Sequence, residues 1–325
     1  MSELRKGYDP EFLGEGISIA LPKAGLEITD DILFVGESES AHVINYIHYS
    51  VIMSKCNNQA LVSAANLNQS AFQQVSGRDW FVDPRIGIEN QVGPKAYKSN
   101  PWDRGHLTRR TAVTWGNKYV AKRASNDSCS YANASMQHEN FNQDEWRVPE
   151  RIVQYLKKDK NDKITIFTGP VFTQTDRWYT RRNLREKVRI PSGFWKVIAY
   201  IGKQSGKLES QAYVLYQDAR FLIDKRGQHS IDIKNYQVTI TEIEHLTGFE
   251  FDENLFNSNP LYFYPREGIN DGPEAFFAPA STEESELGRG VVFSRDDTTR
   301  PEFTGRRRVI PHNEFIEFVS GVRDV

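Results

Sequence analysis

The sequence predicts an α+β fold, a mainly antiparallel sheet with a few helices laid against it. Runs rich in β-branched and aromatic residues recur between turn-forming clusters, whereas helical periodicity shows in two places only. At 325 residues, with 38% hydrophobic and 12% aromatic content, the chain is long enough to bury a sizeable core.

Taken in order, residues 1–40 mix Gly, Pro and acids and read as an irregular N-terminal extension. The runs "HVINYIHYSVIMSK" and "ALVSAANL" flank "KCNNQ", which reads as a hairpin. "KITIFTGPVF" (163–172), "FWKVIAYIG" (194–202) and "QAYVLYQD" (211–218) are further strands, the central ones apolar enough to be buried on both faces. "EWRVPERIVQYLKK" (145–158) places Trp146, Ile152, Val153 and Leu156 on one helical stripe, and a shorter helix begins over 241–248. From about residue 256 the chain turns rich in Pro, Gly and acids and reads as a C-terminal extension, either packed on the core or regulatory. The expected organisation is therefore 1–40, a main domain over 41–255, and 256–325.

A net charge of −2 excludes general attraction to polyanions, so any nucleic acid must be drawn to a local patch. The N-terminus "MSELRKGYDPEF" lacks the apolar run of a secretory signal, and no stretch is long and apolar enough to span a membrane. The chain as given reads as cytoplasmic, or as secreted or periplasmic if a leader was removed. Cys56 and Cys129 form neither a CxxC site nor a disulfide framework, and a single bridge between them is the less favoured reading.

"SNPWDRGHLTRR" (99–110) crowds Asp103, Arg104, His106, Arg109 and Arg110 together. A histidine among arginines has its charged form disfavoured and tends to accept a proton from water. The arginines offer forked donors to phosphate oxygens, where negative charge grows during phosphoryl transfer. Downstream, Asn133, Asn142 and Glu150 supply hard oxygen atoms suited to a hydrated Mg²⁺. Taken alone, the first run also fits a surface loop with an incidental ion pair, and the second set fits turn-forming and solvent-facing roles.

Together, "DRGH" (103–106), Asn133 with Gln137 in "NASMQ", and "FNQDEW" leading to Glu150 resemble the DNA/RNA non-specific endonuclease family, ββα-metal nucleases of the Serratia nuclease and endonuclease G type. "GRDWFVDPR" (77–85) resembles the family segment bearing a phosphate-binding arginine, which maps onto Arg78. "FTGPVF", "IPSGFWKVIAY" and "TITEIEHLTGFEF" resemble its later strands and closing helix. The resemblance covers residues 40–255. It implies the ββα-metal (His-Me finger) fold, with a mainly antiparallel central sheet flanked by helices. It further implies hydrolysis of DNA and RNA to 5′-phosphate ends, with His106 as general base and Asn142 holding Mg²⁺, for which Mn²⁺ would substitute. Glu150 would hold metal-bound water, Asn133 would support the site, and Arg78 and Arg104 would clamp the scissile phosphate. Where the family commonly has Leu before the glutamate this chain has Pro149, which either starts the helix late or kinks it.

"RWYTRRNLREKVR" (177–189) has six basic residues against one acid, with Trp178 and Tyr179 interleaved. It reads either as a solvated loop or as a groove wall in which Arg177, Arg181, Arg182 and Arg185 track a nucleic-acid backbone. "GRRR" (305–308) is a weaker candidate. The readings left open are a toxin or anti-phage effector nuclease, held inactive by its terminal extensions or a partner such as an inhibitor and activated by proteolysis or a partner, and a silent relative that only binds nucleic acid. Homodimerisation is likewise left open, and no membrane partner is expected.

Overall fold

A computed structural model of the chain describes residues 2–38, 40–77, 79–139, 141, 163–180, 184, 187–202, 205–217 and 237–259. The predicted helix at 145–158, with Pro149, and nearly all of the C-terminal extension, with 305–308, lie outside the described residues.

The strands in chain order are β1 (Lys23–Ala24), β2 (Val43–Asn45), β3 (Tyr49–Met53), β4 (Ala60–Asn68), β5 (Trp102–His106), β6 (Ala134–His138) and β7 (Lys163–Val171). They continue with β8 (Arg177–Tyr179), β9 (Val188–Ile190), β10 (Gly193–Ile201), β11 (Leu208–Tyr216), β12 (Gln237–Val238) and β13 (Phe249–Glu250). Seven of them form one sheet in the order β12-β11-β10-β7-β4-β3-β2, and all its pairings are antiparallel. The expected hairpin joins β3 to β4. The run before it divides, because His48 takes a left-handed conformation (φ 69°) and turns the chain between β2 and β3.

Strand alternation divides the apolar side chains between two cores. On one face Val51, Leu67, Ile166, Phe194, Ile198 and Tyr213 pack together. On the other Val62, Phe167, Trp195, Val197, Val214 and Phe249 do so. The central strands read as uniformly apolar because both faces are covered.

The second face is covered by the N-terminal segment and the C-terminal helices. Tyr8, Phe12, Leu13 and Ile19 are buried there, with the Tyr8 ring 5.4 Å from Phe167. β1 pairs with β13, and the Asp252 carboxylate accepts from the Ala20 N–H at 2.8 Å. The helix Ile240–Thr247 starts where Thr239 Oγ1 accepts from the Glu242 N–H (3.1 Å) and stops at Gly248, whose φ of 71° suits the left-handed C-terminal cap. Cys56 is exposed, Cys129 is buried, and both are free.

The segment between β4 and β7 crosses to the first face and carries the β5–β6 ribbon. Its helix Lys118–Asp127 is capped by Asn117, whose side chain accepts from the Val120 N–H at 2.9 Å.

Candidate active site

β5 and β6 pair antiparallel, with Arg104 opposite Met136 and His106 opposite Ala134. Because side chains alternate along a strand, Trp102, Arg104 and His106 share one face, and successive members lie roughly 6–7 Å apart. Arg104 is exposed and His106 half-buried. The centroid of the Trp80 ring lies 4.7 Å from that of His106, and the Arg104 guanidinium carbon lies 5.0 Å from the same indole. Tyr131 continues the aromatic contacts at 5.5 Å from Trp80, and Tyr97 stacks on Tyr131 at 5.9 Å. The Tyr97 hydroxyl is buried without a hydrogen bond, and burial pushes its pKa up.

Local anchors hold Trp80 in place. The next residue, Phe81, bridges Ser130 and exchanges backbone bonds with Cys129 and Tyr131. Two residues further, Asp83 accepts from Tyr46 at 2.7 Å and from Arg85 at 2.7 Å. Burial alone would raise the Asp83 pKa, but the bonds from Arg85 and Tyr46 outweigh it and bring it down.

Asn133 ties the end of the DRGH strand to its surroundings. It is fully buried; its Nδ2 donates to the carbonyls of Thr108 (2.8 Å) and Ser128 (2.9 Å). Its Oδ1 accepts from the Thr108 N–H at 2.9 Å and the Ser63 hydroxyl at 3.1 Å. Both amide protons and both lone-pair directions are engaged, so Asn133 positions the backbone after His106.

Arg109 precedes the short helix Arg110–Val113 and is half-buried. Arg110 donates to the Val75 carbonyl at 2.9 Å and so fastens the loop leading to Trp80. Arg177 is exposed at the start of β8, its guanidinium 5.6 Å from the Trp102 ring. Arg78, Asn142, Glu150, Arg181, Arg182 and Arg185 lie outside the described residues. Phe141, the last described residue before Asn142, is buried with its ring 5.7 Å from Phe194 of β10.

Gln137, on the opposite ribbon face, is buried and neither of its amide atoms is hydrogen-bonded. It lies over Gly105, where a Cβ would come within 2.2 Å of its Oε1, so the DRGH glycine makes room for this amide. This amide faces away from His106, and among the described residues no group of three or more His, Cys, Asp or Glu side chains could hold a metal ion. Sequence reasoning missed a polar row on the first sheet face, where Ser63 pairs with Thr168 and Thr168 with Lys196. Lys196 is only 3% exposed. It also missed Trp80, although the indole stands inside the "GRDWFVDPR" segment.

Comparison with known proteins bears on the family and the fold. The sequence profile of the DNA/RNA non-specific endonuclease family matches residues 34–258. The uncharacterized protein y4fB of Sinorhizobium fredii (strain NBRC 101917 / NGR234) is 31% identical over 285 residues, covering 81% of this chain and 41% of that protein. This chain thus spans about two fifths of that relative's length. Among solved structures, a chain from the EndoG/EndoGI complex superposes with a TM-score of 0.52 at 19% identity, covering 67% of this chain and 87% of the other. That likeness is one of fold, the large antiparallel sheet with few helices. With the DRGH histidine and arginine on one ribbon face and the family profile spanning the sheet that carries them, the chain belongs to the DNA/RNA non-specific endonuclease family.

Proposed function

We propose that this protein is a metal-dependent endonuclease that hydrolyses phosphodiester bonds of DNA and RNA without sequence preference, leaving 5′-phosphate ends. One observation carries the reading: Arg104 and His106 project from the same ribbon face with the Trp80 indole against both. His106 takes a proton from the attacking water. The water oxygen bonds to phosphorus and the bond from phosphorus to the 3′ oxygen breaks; that oxygen takes a proton from solvent water, so the upstream fragment ends in a 3′ hydroxyl and the downstream one begins with a 5′-phosphate. Arg104 donates to the non-bridging oxygens, where charge accumulates, and Arg78 is its proposed partner. Asn133 keeps the backbone after His106 fixed. A hydrated Mg²⁺ or Mn²⁺, held by Asn142 with Glu150 on its waters, would supply positive charge to the phosphorane-like state and the leaving oxygen. Contact with backbone phosphate explains why sequence and sugar preference would be slight.

Restraint of such an activity by a protein inhibitor is part of the proposal, since the solved complex concerns inhibition of EndoG by its partner. Digestion of supercoiled plasmid and of RNA with Mg²⁺, with and without EDTA, tests the reading. Cleavage of both that EDTA abolishes, with 5′-phosphate ends, supports it. Cleavage unaffected by EDTA, 3′-phosphate ends, or binding without cleavage contradicts it.

A further inference from the structure

The β8–β9 hairpin has two unlike faces. Its register places Trp178 opposite Arg189, and Tyr179 opposite Val188. Val188 and Ile190 pack with Trp102 and Met136 in a small core shared with the β5–β6 ribbon. The Tyr179 hydroxyl accepts from the Asn100 amide at 3.0 Å, and the Arg177 guanidinium lies 5.6 Å from the Trp102 ring. One hairpin face is thereby fixed to the strand that carries His106.

The other face bears Trp178, which is 55% exposed. A half-exposed indole on a short hairpin would ordinarily sample several rotamers, but this one has a fixed neighbour. The Arg189 guanidinium carbon lies 5.9 Å from the indole centroid. Arg189 is itself held by an ion pair to buried Asp176 at 2.8 Å and by a bond to the Thr173 carbonyl. Asp176 also accepts from the Thr173 N–H at 2.8 Å. The indole thus rests against a clamped cation and leaves much of its surface to solvent. Exposed Arg177 and Lys187 supply further positive charge on the hairpin.

We propose that Trp178 is a stacking platform for an unpaired base, so that single-stranded nucleic acid is the substrate form engaged by the hairpin that packs on the β5–β6 ribbon. This deepens, and rests on, the nuclease reading above. Every base presents a π face to an aromatic ring when it is unpaired, whereas bases inside a duplex are covered by one another. The surrounding cations draw the backbone to the hairpin, and the ring holds the base. The opposite face of the same hairpin packs on Trp102, and His106 lies four residues further along β5, so the platform belongs to the unit that carries the histidine.

The test is fluorescence-anisotropy binding in EDTA, with a labelled oligothymidylate and a duplex of equal length as probes. The wild type, Trp178→Ala and Trp178→Phe are compared. Trp178→Ala is expected to weaken oligothymidylate binding by roughly 5- to 100-fold while changing duplex affinity less than about twofold, and Trp178→Phe is expected to recover most of the loss. Equal losses for both probes, or none for either, overturn the platform. If the wild type cleaves plasmid yet Trp178→Ala binds oligothymidylate normally, only this inference fails. If the wild type neither binds the probes nor cleaves, the nuclease reading fails and this inference falls with it.

Discussion

The Trp80 indole lies 4.7 Å from the His106 imidazole and also under the Arg104 guanidinium, at 5.0 Å, so one ring braces the proposed base and the proposed phosphate clamp. Trp80→Ala removes a cation–π contact and the lateral support of the imidazole at once. It is expected to lower kcat by about 10- to 100-fold and to raise KM, while Trp80→Phe retains most of kcat. Steady-state cleavage of a labelled oligonucleotide checks this. Equal kinetics for Trp80→Ala and the wild type would show that the indole plays no part in holding the pair.

Asn133→Ala leaves a buried N–H, two carbonyls and a hydroxyl without their partner. A loss of about 2–4 kcal/mol in urea unfolding is expected, together with reduced cleavage because the backbone after His106 loosens. Asn133→Asp should be worse still, since a carboxylate would face the carbonyls of Thr108 and Ser128. A variant of unchanged stability would contradict the tethering role.

His48 couples stability to pH. Burial lowers its pKa from 6.5 to about 4, and its ring stacks on Trp115 at 3.4 Å. The unfolded chain binds the proton more readily, so this contribution is complete above pH 6.5 and is lost as pH falls toward 4. The loss is about 2–3 kcal/mol over that window. Asn tolerates the left-handed backbone at this position, so His48→Asn should be less stable at neutral pH but flatter in its pH profile. Parallel profiles for the two proteins would contradict the assignment.

Removal of residues 1–22 should destabilise the chain severely. Tyr8, Phe12, Leu13 and Ile19 cover the second core, and Arg5 makes a two-pronged contact with Asp127 at 2.7 and 2.9 Å. That bond is the main reason the Arg5 pKa is raised. Thermal unfolding of the truncated protein is expected to show a much lower Tm or no cooperative transition. A truncated protein of wild-type Tm would make the segment a dispensable extension.

The strands β4, β7, β10 and β11 were legible because each holds a mainly apolar, β-branched or aromatic run covered on both faces. The DRGH run was legible as positive charge crowded round one histidine, but not as a strand with Arg104 and His106 on one face, because a five-residue run holding Asp103, Arg104 and Gly105 shows no apolar alternation. Residues 2–38 looked irregular and hold only the two-residue strand β1 and two short 3₁₀ turns, yet their isolated apolar side chains find partners far away in sequence, and no local period announces this. Trp80 reaches His106 only because the neighbouring Phe81 bridges Ser130, a long-range contact that leaves no mark on the spacing. Lys196 reads like any polar residue in a strand, and its burial follows from the ribbon that lies across that sheet face.

The single-turnover cleavage rate of His106→Ala, measured at saturating protein with Mg²⁺, tests the central claim most directly. A general base contributes about 10²- to 10⁴-fold, so the rate should fall by that factor while oligonucleotide affinity in EDTA stays within about threefold of wild type, because the imidazole acts on water. Cleavage within tenfold of the wild type, or a parallel collapse of oligonucleotide binding, would contradict the assignment of His106 as the base.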